Sequence, residues 1–443
     1  MFNLTAQAGT QDFGHGATST WGFNGAVLGP TLRATRGEQV AVSVTNALDQ
    51  STTVHWHGMH LPASADGGPH QPIMPGQTWS STWKIDQPAS TLWYHPHPHG
   101  ETARQVYRGL AGMFILDDPA TSVATLPHDY GVDDIPLIVQ DKKFDDAGQL
   151  DASPSGVTGM GILGDTIAVN GTVGPHLDVT TERVRLRLLN ASNARSYNFG
   201  FADGRGFALV GTDGGLLDTA YETDRLQLSP GERAEIVVTV RPGENAVLRS
   251  FPQDLGMGRF DRFAGGDDTF DVLQLRDASA LAPRPAVPSH LVGLPRLPRT
   301  EAVQQRRFEL TDDAINGQKM DMNRVDAAPV QDSVEIWKLV NTDGVPHNFH
   351  VHDVQFQVLS QDGAAPPPPL TGWKDTIFLP PNVPIELIMR FSDYADAQTP
   401  YMFHCHMLYH EDSGMMGQFV VVPPGGSPSG TGHLADPTHA GHH

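Results

Sequence analysis

Histidines that could bind metal ions stand at regular spacings in four short segments of the sequence. Each segment holds two histidines separated by one residue: His55 and His57, His95 and His97, His350 and His352, and His404 and His406. Alternate side chains of a strand share one face, so each pair presents two imidazoles about 7 Å apart, taken as two residue rises. Two facing pairs can hold a cluster of metal ions, and four pairs make chance a poor explanation.

The only cysteine of the chain, Cys405, lies between two of these histidines. On a strand its sulfur points to the face opposite both imidazoles, so one peptide segment can contact two metal sites. A thiolate with two histidines and a weakly bound methionine sulfur is the ligand set of a blue-copper electron-transfer site. We therefore predict a mononuclear copper site whose ligands are Cys405, His347, His410 and Met415.

Other histidines lie near these positions. His99 extends the His-Pro-His-Pro-His run, but the parallel with the fourth pair favours His95 and His97 as ligands. His60 and His70 have no claim from spacing, and we expect them at the surface or behind the ligands.

Two choices about the mononuclear site depend on chemistry and on an internal repeat. Met416 competes with Met415, and aligning the two Gly-X-X-Gly-X-Phe segments favours Met415 only by analogy. Zinc also binds histidine and cysteine. Eight paired histidines beside a separate site exceed a structural zinc site, and thioether ligation favours copper.

The histidine pairs must be positioned by strands, and one strand pattern occurs three times. An alternating run of residues ends at Asn46, at Asn190 and at Asn341. Counting nine and eleven residues onward gives the first and third histidine pairs, but Phe199 and Phe201 in the middle copy. We predict three related β-units, of which the middle one carries no metal ligands.

A second repeat joins the first and third units. An aromatic residue and a His-X-His pair precede a Gly-X-X-Gly-X-Phe strand at residues 109–114 and at residues 414–419. Pro96 stands where Cys405 stands in the third unit, so the first unit cannot form its own thiolate site. Many short strands between Gly, Pro, Asn and Asp clusters, with few long amphipathic helices, predict an all-β protein of sandwich domains.

Composition shifts predict where the domains begin and end. The predicted domains span residues 1–130, 131–285 and 305–424, with a Pro-rich linker at residues 286–304. The segment 425–443 is rich in Gly, Pro, Ser and His, and we predict a disordered tail there.

Length and charge exclude several classes of protein. A chain of 443 residues is long enough for two or three compact units. A net charge of -21 argues against a nucleic-acid partner, because such proteins need a basic surface. One cysteine permits no intrachain disulfide. We expect no membrane span and see no export signal, because the first residues lack a basic and an apolar region.

The metal-binding motifs resemble those of the multicopper oxidase family, in particular three-domain bacterial laccase-like enzymes and copper-efflux oxidases. The resemblance covers nearly the whole chain, and only Asn348 departs from the proline that many members have after the first histidine of the third motif. It rests on His55-Trp-His57-Gly, Trp-Tyr-His95-Pro-His97, His347-Asn-Phe-His350-Val-His352 and His404-Cys405-His406-Met-Leu-Tyr-His410-Glu-Asp-Ser-Gly-Met415, with Ala-Val-Asn170-Gly-Thr and Gly-Trp-Lys-Asp-Thr376.

The resemblance implies three cupredoxin-like Greek-key β-sandwich domains and four copper ions per chain: one type 1, one type 2 and two type 3. By resemblance, His347, Cys405, His410 and Met415 are the type 1 ligands, and His55 and His350 are the type 2 ligands. The type 3 ligands are His57, His95, His97, His352, His404 and His406. A periplasmic or secreted location is also implied by the family.

Catalytic roles follow from the same resemblance. Cys405 would pass each electron to the cluster through His404 or His406. Asp66 and Glu411 match acids that deliver protons in similar enzymes. Asp-Gly-Gly is also an ordinary turn signal, and Glu411 could hydrogen-bond its own loop.

The function expected from these features is oxidation of phenols or aromatic amines with reduction of dioxygen to water, by a monomer that needs a small-molecule donor and dioxygen. A cuprous-ion oxidase is the nearest alternative, although only 13 methionines are present and Val345 occupies a position where such enzymes can offer methionine. A non-catalytic relative would be expected to lose ligands. A copper nitrite reductase needs only one copper ion besides the blue-copper site, so four histidine pairs would exceed what it requires.

Overall fold

The computed structural model describes residues 1–121, 125–155 and 159–429. The described chain is built almost wholly of strands, and its two α-helices, α1 (Thr102–Tyr107) and α2 (Leu408–Ser413), have six residues each. Within this part of the chain, no helix combines the length and apolarity needed to cross a membrane. Most of the predicted tail, residues 430–443, lies outside the described residues.

The first sandwich contains strands β1 to β7. Their bounds are β1 Phe2–Asp12, β2 Ala17–Phe23, β3 Leu32–Thr35, β4 Gln39–Asn46, β5 Thr78–Lys84, β6 Ser90–Tyr94 and β7 Gly112–Asp117. One sheet has the order β2-β1-β4-β5 and the other the order β3-β7-β6. Alternation along β4 buries Val40, Val42 and Val44 between the sheets, as a half-exposed strand requires.

The middle sandwich contains strands β8 to β19. Their bounds are β8 Asp134–Lys142, β9 Thr166–Val169, β10 Thr172–Val173, β11 His176–Thr181, β12 Arg183–Asn190, β13 Tyr197–Phe201, β14 Phe207–Thr212, β15 Gly215–Thr223, β16 Leu226–Leu228, β17 Arg233–Thr239, β18 Asn245–Ser250 and β19 Phe270–Ala282. The two sheets have the orders β10-β9-β8-β12-β17-β14-β15 and β11-β19-β18-β13-β16. Phe199 and Phe201 pack in the core between them.

The third sandwich contains strands β20 to β28. Their bounds are β20 Ala302–Thr311, β21 Ala314–Ile315, β22 Val334–Asn341, β23 His347–Val351, β24 Phe356–Gln361, β25 Thr376–Leu379, β26 Ile385–Arg390, β27 Asp396–His404 and β28 Met416–Val421. The sheets have the orders β21-β20-β22-β26-β24 and β25-β23-β27-β28. Strand β20 begins within the predicted linker, whose last residues therefore form a strand. The three domain boundaries stay a prediction.

The same three-strand arrangement recurs in every sandwich. A first strand runs parallel to a second, and the second pairs antiparallel with a third: β1-β4-β5, β8-β12-β17 and β20-β22-β26. The middle strand of each set ends at the asparagine that the sequence repeat marks. The predicted three-fold repeat is therefore visible in the strand pairing.

Each of these asparagines closes the turn after its strand in the same way. The side chain of Asn46 accepts the Leu48 N–H and donates to the carbonyls of Gln50 and Ile73. Asn190 and Asn341 make the equivalent three hydrogen bonds in their own domains. All three side chains are fully buried, so their hydrogen bonds must be made within the protein. In the first and third domains, this turn begins the segment that carries the histidine pair.

Buried ion pairs of the middle domain lie where it meets the first domain at Thr91. Glu235 on β17 accepts hydrogen bonds from Arg185 and Arg187 of its own sheet and from the Thr91 hydroxyl of the first domain. Arg187 also forms a bidentate pair with Asp134 at 2.6 and 2.9 Å. Because these groups are almost completely buried, each charge needs its partner.

We predict that Glu235→Gln destabilises the protein by about 3 kcal/mol at neutral pH, because it leaves buried arginine charge without its counter-ion. Burial raises the pKa of Glu235, but Arg185 and Arg187 lower it to about 2. A lowered pKa adds stability above the ordinary glutamate range, and this stability is lost as pH falls towards 2.

Urea unfolding of the copper-free protein at pH 7 and at pH 3 measures both effects. The matched control is Glu309→Gln, which removes an exposed pair with Arg307 and should cost less than about 1 kcal/mol. Equal midpoints for the two variants at pH 7 would contradict the prediction.

Candidate metal centre

The four histidine pairs meet between the first and third domains. His55 and His95 are joined by a β-bridge with N···O distances of 2.8 and 3.1 Å, and His350 on β23 pairs with His404 at the end of β27. All eight histidines are at most 1% exposed. The two strand pairings therefore bring residues from distant parts of the sequence into one buried cluster.

The predicted strand location of the pairs is only partly correct. His350 lies within β23 and His404 ends β27, whereas His55, His57, His95, His97, His352 and His406 lie in segments outside the named strands. The alternation of side chains nevertheless persists, because the rings of His404 and His406 lie on one side, 5.4 Å apart. The sulfur of Cys405 lies on the other side, with His347 and His410.

The inward-facing imidazole nitrogens form two close groups. His404 Nε2 lies 3.1 Å from His97 Nε2 and 3.3 Å from His352 Nε2. On the other side, His95 Nε2 lies 3.4 Å from His57 Nδ1, and the His406 ring lies 4.9 Å from the His57 ring. Three histidines in each group match the two halves of the predicted type 3 pair.

Most imidazoles of the cluster are held from behind through their other nitrogen. His55 Nδ1 and His350 Nδ1 lie 3.0 and 2.8 Å from the carbonyls of Asp66 and Asp375. Their Nε2 atoms are buried without a hydrogen-bond partner among the described residues. A metal-binding histidine usually has its second nitrogen held in this way, which fixes the ring and the tautomer. The two Nε2 atoms fit the predicted type 2 ligands.

The electrostatics of the cluster favour neutral imidazoles. Burial and the neighbouring histidines lower the pKa of most of these rings well below the ordinary value. Burial also lowers the pKa of His350 to about 4. Neutral imidazole is the form that binds a metal ion. Buried, unpaired nitrogens on neutral rings are a poor arrangement for an apolar core and fit a set of bound metal ions.

The second site lies on the far side of Cys405. The Sγ atom lies 3.7 Å from His347 Nδ1 and 3.6 Å from His410 Nδ1, and these two nitrogens are 3.0 Å apart. His347 Nε2 contacts Asp343 Oδ2 at 2.8 Å, and His410 Nε2 contacts the Gly159 carbonyl at 2.9 Å. Two nitrogens and one sulfur that converge in this way are the core of a blue-copper ligand set.

Cys405 is a protonated thiol unless a metal ion replaces the proton. Burial raises its pKa to about 12, although the backbone N–H groups of Asn348 and Met407 oppose this shift. Met415 packs in the same apolar cluster as Cys405, and its carbonyl accepts the Cys405 N–H at 3.1 Å. Met416 pairs with His404 on the neighbouring strand. The choice of Met415 as axial ligand stays a prediction.

The two predicted acids contact the outer sides of different ligand histidines. Asp66 Oδ2 lies 2.8 Å from His352 Nδ1, and Glu411 Oε2 lies 3.1 Å from His404 Nδ1. Gly67 has a φ of +74°, and an added Cβ would lie 1.7 Å from the Val54 carbonyl oxygen. The Asp-Gly-Gly segment is therefore a turn, and the turn also delivers Asp66 to the cluster.

The three other histidines considered from the sequence, His60, His70 and His99, are not part of the cluster. His99 is exposed, His60 forms ion pairs with Asp353 and Asp393, and His70 Nε2 lies 2.8 Å from Gln418 Oε1. Each of these three side chains therefore has an environment that differs from that of the candidate ligands.

Sequence reasoning missed Asp375, which contacts two of the ligand histidines. Its Oδ1 lies 3.1 Å from His57 Nε2 and its carbonyl accepts from His350 Nδ1. The buried Arg233 of the middle domain holds both carboxylate oxygens at 2.6 Å. Burial raises the pKa of Asp375, but Arg233 holds it well below the ordinary value. The only sequence feature at this position was the Gly-Trp-Lys-Asp-Thr segment, which did not indicate a role for its aspartate.

Comparison with known proteins identifies relatives along the whole chain. Family models described as multicopper oxidase match residues 5–121, 141–249 and 294–425. The multicopper oxidase mco of Staphylococcus haemolyticus is 36% identical over 428 residues, which are 95% of this chain and 88% of that protein. The cell division protein FtsP of Escherichia coli is also 36% identical over 428 residues, 95% of this chain and 89% of that protein.

Solved structures share the fold. The laccase-like multicopper oxidase CueO of Ochrobactrum sp., described with oxidase activity towards lignin model compounds, is 36% identical with a TM-score of 0.87, covering 95% of this chain and 96% of that chain. A multicopper oxidase of Campylobacter jejuni, described as a metallo-oxidase, is 27% identical with a TM-score of 0.82, covering 95% and 91%. These likenesses confirm the predicted all-β fold of cupredoxin-like domains.

We predict that Asp375→Asn lowers the affinity of the cluster for copper by about 10- to 100-fold, because it weakens the groups that orient His57 and His350. The blue site should keep its absorbance, since Asp375 contacts none of its ligands among the described residues. Copper per chain and visible absorbance after dialysis against a chelator measure the two sites separately.

The control for this variant is Asp326→Asn. Asp326 is a partly buried carboxylate of the third domain that pairs with Arg324 and accepts the Gln418 N–H. Equal copper retention by the two variants would show that Asp375 does not support the cluster.

Proposed function

The chain belongs to the multicopper oxidase family, an oxidoreductase family with dioxygen as electron acceptor, and we propose that it is a laccase-like enzyme that oxidises phenols or aromatic amines. It binds copper, and we propose four ions per chain, one of type 1, one of type 2 and two of type 3. The assigned ligands are those predicted from the sequence.

The observation that carries this proposal is the arrangement around Cys405. The Cys405 sulfur faces His347 and His410, while the flanking imidazoles of His404 and His406 face the cluster. Copper bound at the two sites supplies one-electron redox chemistry and a place for dioxygen to react. The Cys405 backbone joins the two sites covalently, which suits transfer of single electrons from one to the other.

Protons must reach the same cluster, because reduction of dioxygen to water consumes them. His352 Nδ1–H donates to Asp66 Oδ2. Glu411 Oε2 lies 3.1 Å from His404 Nδ1, which hydrogen-bonds the Cys405 carbonyl. Each carboxylate thus contacts the rear of a proposed ligand ring in the group formed by His97, His352 and His404. We assign both acids to proton delivery, and each also fixes the ring that it contacts.

The electron donor would approach the side of the blue site where His410 Nε2 meets the Gly159 carbonyl. Val345 is half-buried beside the core of the third domain, and it offers no sulfur for a cuprous ion. The relative from Ochrobactrum is described as active on lignin model compounds, which supports aromatic donors. Cuprous ion is the second candidate donor, because the relative from C. jejuni is described as a metallo-oxidase.

Two functions without this chemistry fit the chain less well. The name of the FtsP relatives describes a role in cell division, and a chain that served only to bind partners would not need ten buried histidines with a cysteine. A nitrite reductase would use the mononuclear site and one further copper, which leaves most of the eight-histidine cluster without a role. We propose a periplasmic or secreted monomer, in keeping with the family.

Oxygen uptake with two donors tests the proposed function. We expect the copper-loaded protein to consume dioxygen with a methoxyphenol, and to prefer this donor over cuprous ion. The control is Cys405→Ser, which should lose the blue colour and donor oxidation but keep most of the cluster copper, because the eight paired histidines are unchanged. A strong preference for cuprous ion would reverse the choice of donor, and no uptake with either donor would exclude the oxidase.

Proton delivery is tested by Asp66→Asn and Glu411→Gln, measured as turnover against pH. Each variant should lower turnover by about 10²- to 10⁴-fold, the range for loss of an acid–base group, while reduction of the blue site stays fast. Glu309→Gln, which removes an exposed carboxylate paired with Arg307, serves as a charge control. Unchanged turnover and pH profile in both acid variants would exclude the assignment.

A further inference from the structure

Asn348, which follows the ligand histidine His347 on β23, contacts the middle domain through its amide nitrogen. Nδ2 donates to the Pro230 carbonyl at 2.7 Å and lies 3.2 Å from Ser229 Oγ. The residue is fully buried, so water cannot replace these partners. Many members of the family have proline at this position, and proline has no side-chain amide. Asn348 therefore adds a carboxamide that makes these contacts.

The amide oxygen of the same side chain faces the peptide that joins the two metal sites. Oδ1 accepts the His406 N–H at 2.6 Å and lies 3.5 Å from the Cys405 sulfur. A flipped amide would place two N–H donors against each other at His406 and two oxygens against each other at Pro230. The contacts on both sides thus allow one orientation of Asn348.

The turn that holds Asn348 also contacts the ring of His406. Gly231 has a φ of +85°, and a Cβ added to it would lie 3.1 Å from two atoms of that ring. The turn is itself fixed, because the Ser229 N–H and hydroxyl both donate to Glu232, which pairs with Lys374 of the third domain. The same turn therefore supports His406 in two ways. It holds Asn348, which accepts the His406 backbone N–H, and Gly231 of the turn lies close to the His406 ring.

We infer that Asn348 is a positioning residue that fixes the Cys405–His406 peptide against the Ser229–Pro230–Gly231 turn of the middle domain. The cysteine sulfur and the His406 imidazole are thereby held in one relative orientation across the peptide that electrons must cross. This role rests on the proposed function. It gives the middle domain, which carries none of the proposed ligands, a direct part in the path between the two sites.

The test compares Asn348→Leu with Phe349→Leu. Phe349 lies next to Asn348 and packs in the core of the third domain, so its truncation costs stability without removing the carboxamide. In the copper-free protein, we expect amide hydrogen exchange in the segment that contains His406 to be about tenfold faster in Asn348→Leu, because the His406 N–H loses its acceptor. Phe349→Leu should leave this exchange close to that of the wild type.

The copper-loaded variants supply the second measurement. Under anaerobic conditions the blue site is reduced in a pulse, and the return of the blue colour reports electron transfer to the cluster. Asn348→Leu should stay blue and accept the first electron at the wild-type rate, but the return should slow by about three- to tenfold. Asn348→Asp keeps an oxygen for the His406 N–H and should lie between Asn348→Leu and the wild type in both measurements.

Unchanged exchange and unchanged transfer in Asn348→Leu, relative to Phe349→Leu, would overturn the inference. If Asn348→Leu does not fold, the comparison of Asn348→Asp with the wild type decides it in the same way. A wild-type protein that consumes no dioxygen would exclude the proposed function alone, because the exchange measurement on the copper-free protein still tests the contact.

Discussion

The buried ion pair between Arg233 and Asp375 is the interaction on which the metal centre depends. Arg233 belongs to the middle domain, holds both oxygens of Asp375 and also donates to the Thr91 carbonyl of the first domain. Asp375 in turn contacts His57 of the first domain and His350 of the third. A guanidinium and a carboxylate buried this deeply require each other, so this pair and its contacts connect the three domains around the cluster.

Burial gives the cluster its chemistry. Burial lowers the pKa of most of the paired imidazoles, and carboxylates lie behind two of the rings: Asp66 behind His352, and Glu411 behind His404. The same burial keeps the Cys405 thiol protonated until a metal ion binds. The centre therefore combines deeply buried candidate ligands with carboxylates that contact the rear of their rings.

The middle domain shares the strand arrangement of its neighbours but carries none of the proposed ligands. Its Asn190 closes the same turn as the asparagines of the other two domains, but Phe199 and Phe201 fill the core where the others have histidines. What this domain contributes is support from one short segment, which supplies the turn against His406 and the Arg233 guanidinium. The middle domain therefore supports residues proposed as ligands in its neighbours.

The sequence alone determined the repeat, the all-β fold and the grouping of candidate ligands, because strand alternation and motif spacing are local properties of the chain. It could place Cys405 on the opposite face from its neighbouring histidines for the same reason. It could not identify Arg233, Asp375 or the contacts of Asn348 with the middle domain, since these side chains meet partners more than a hundred residues away. Only the tertiary structure decides which distant residues are buried together, and the cost of burying an unpaired charge or amide then makes those partners indispensable.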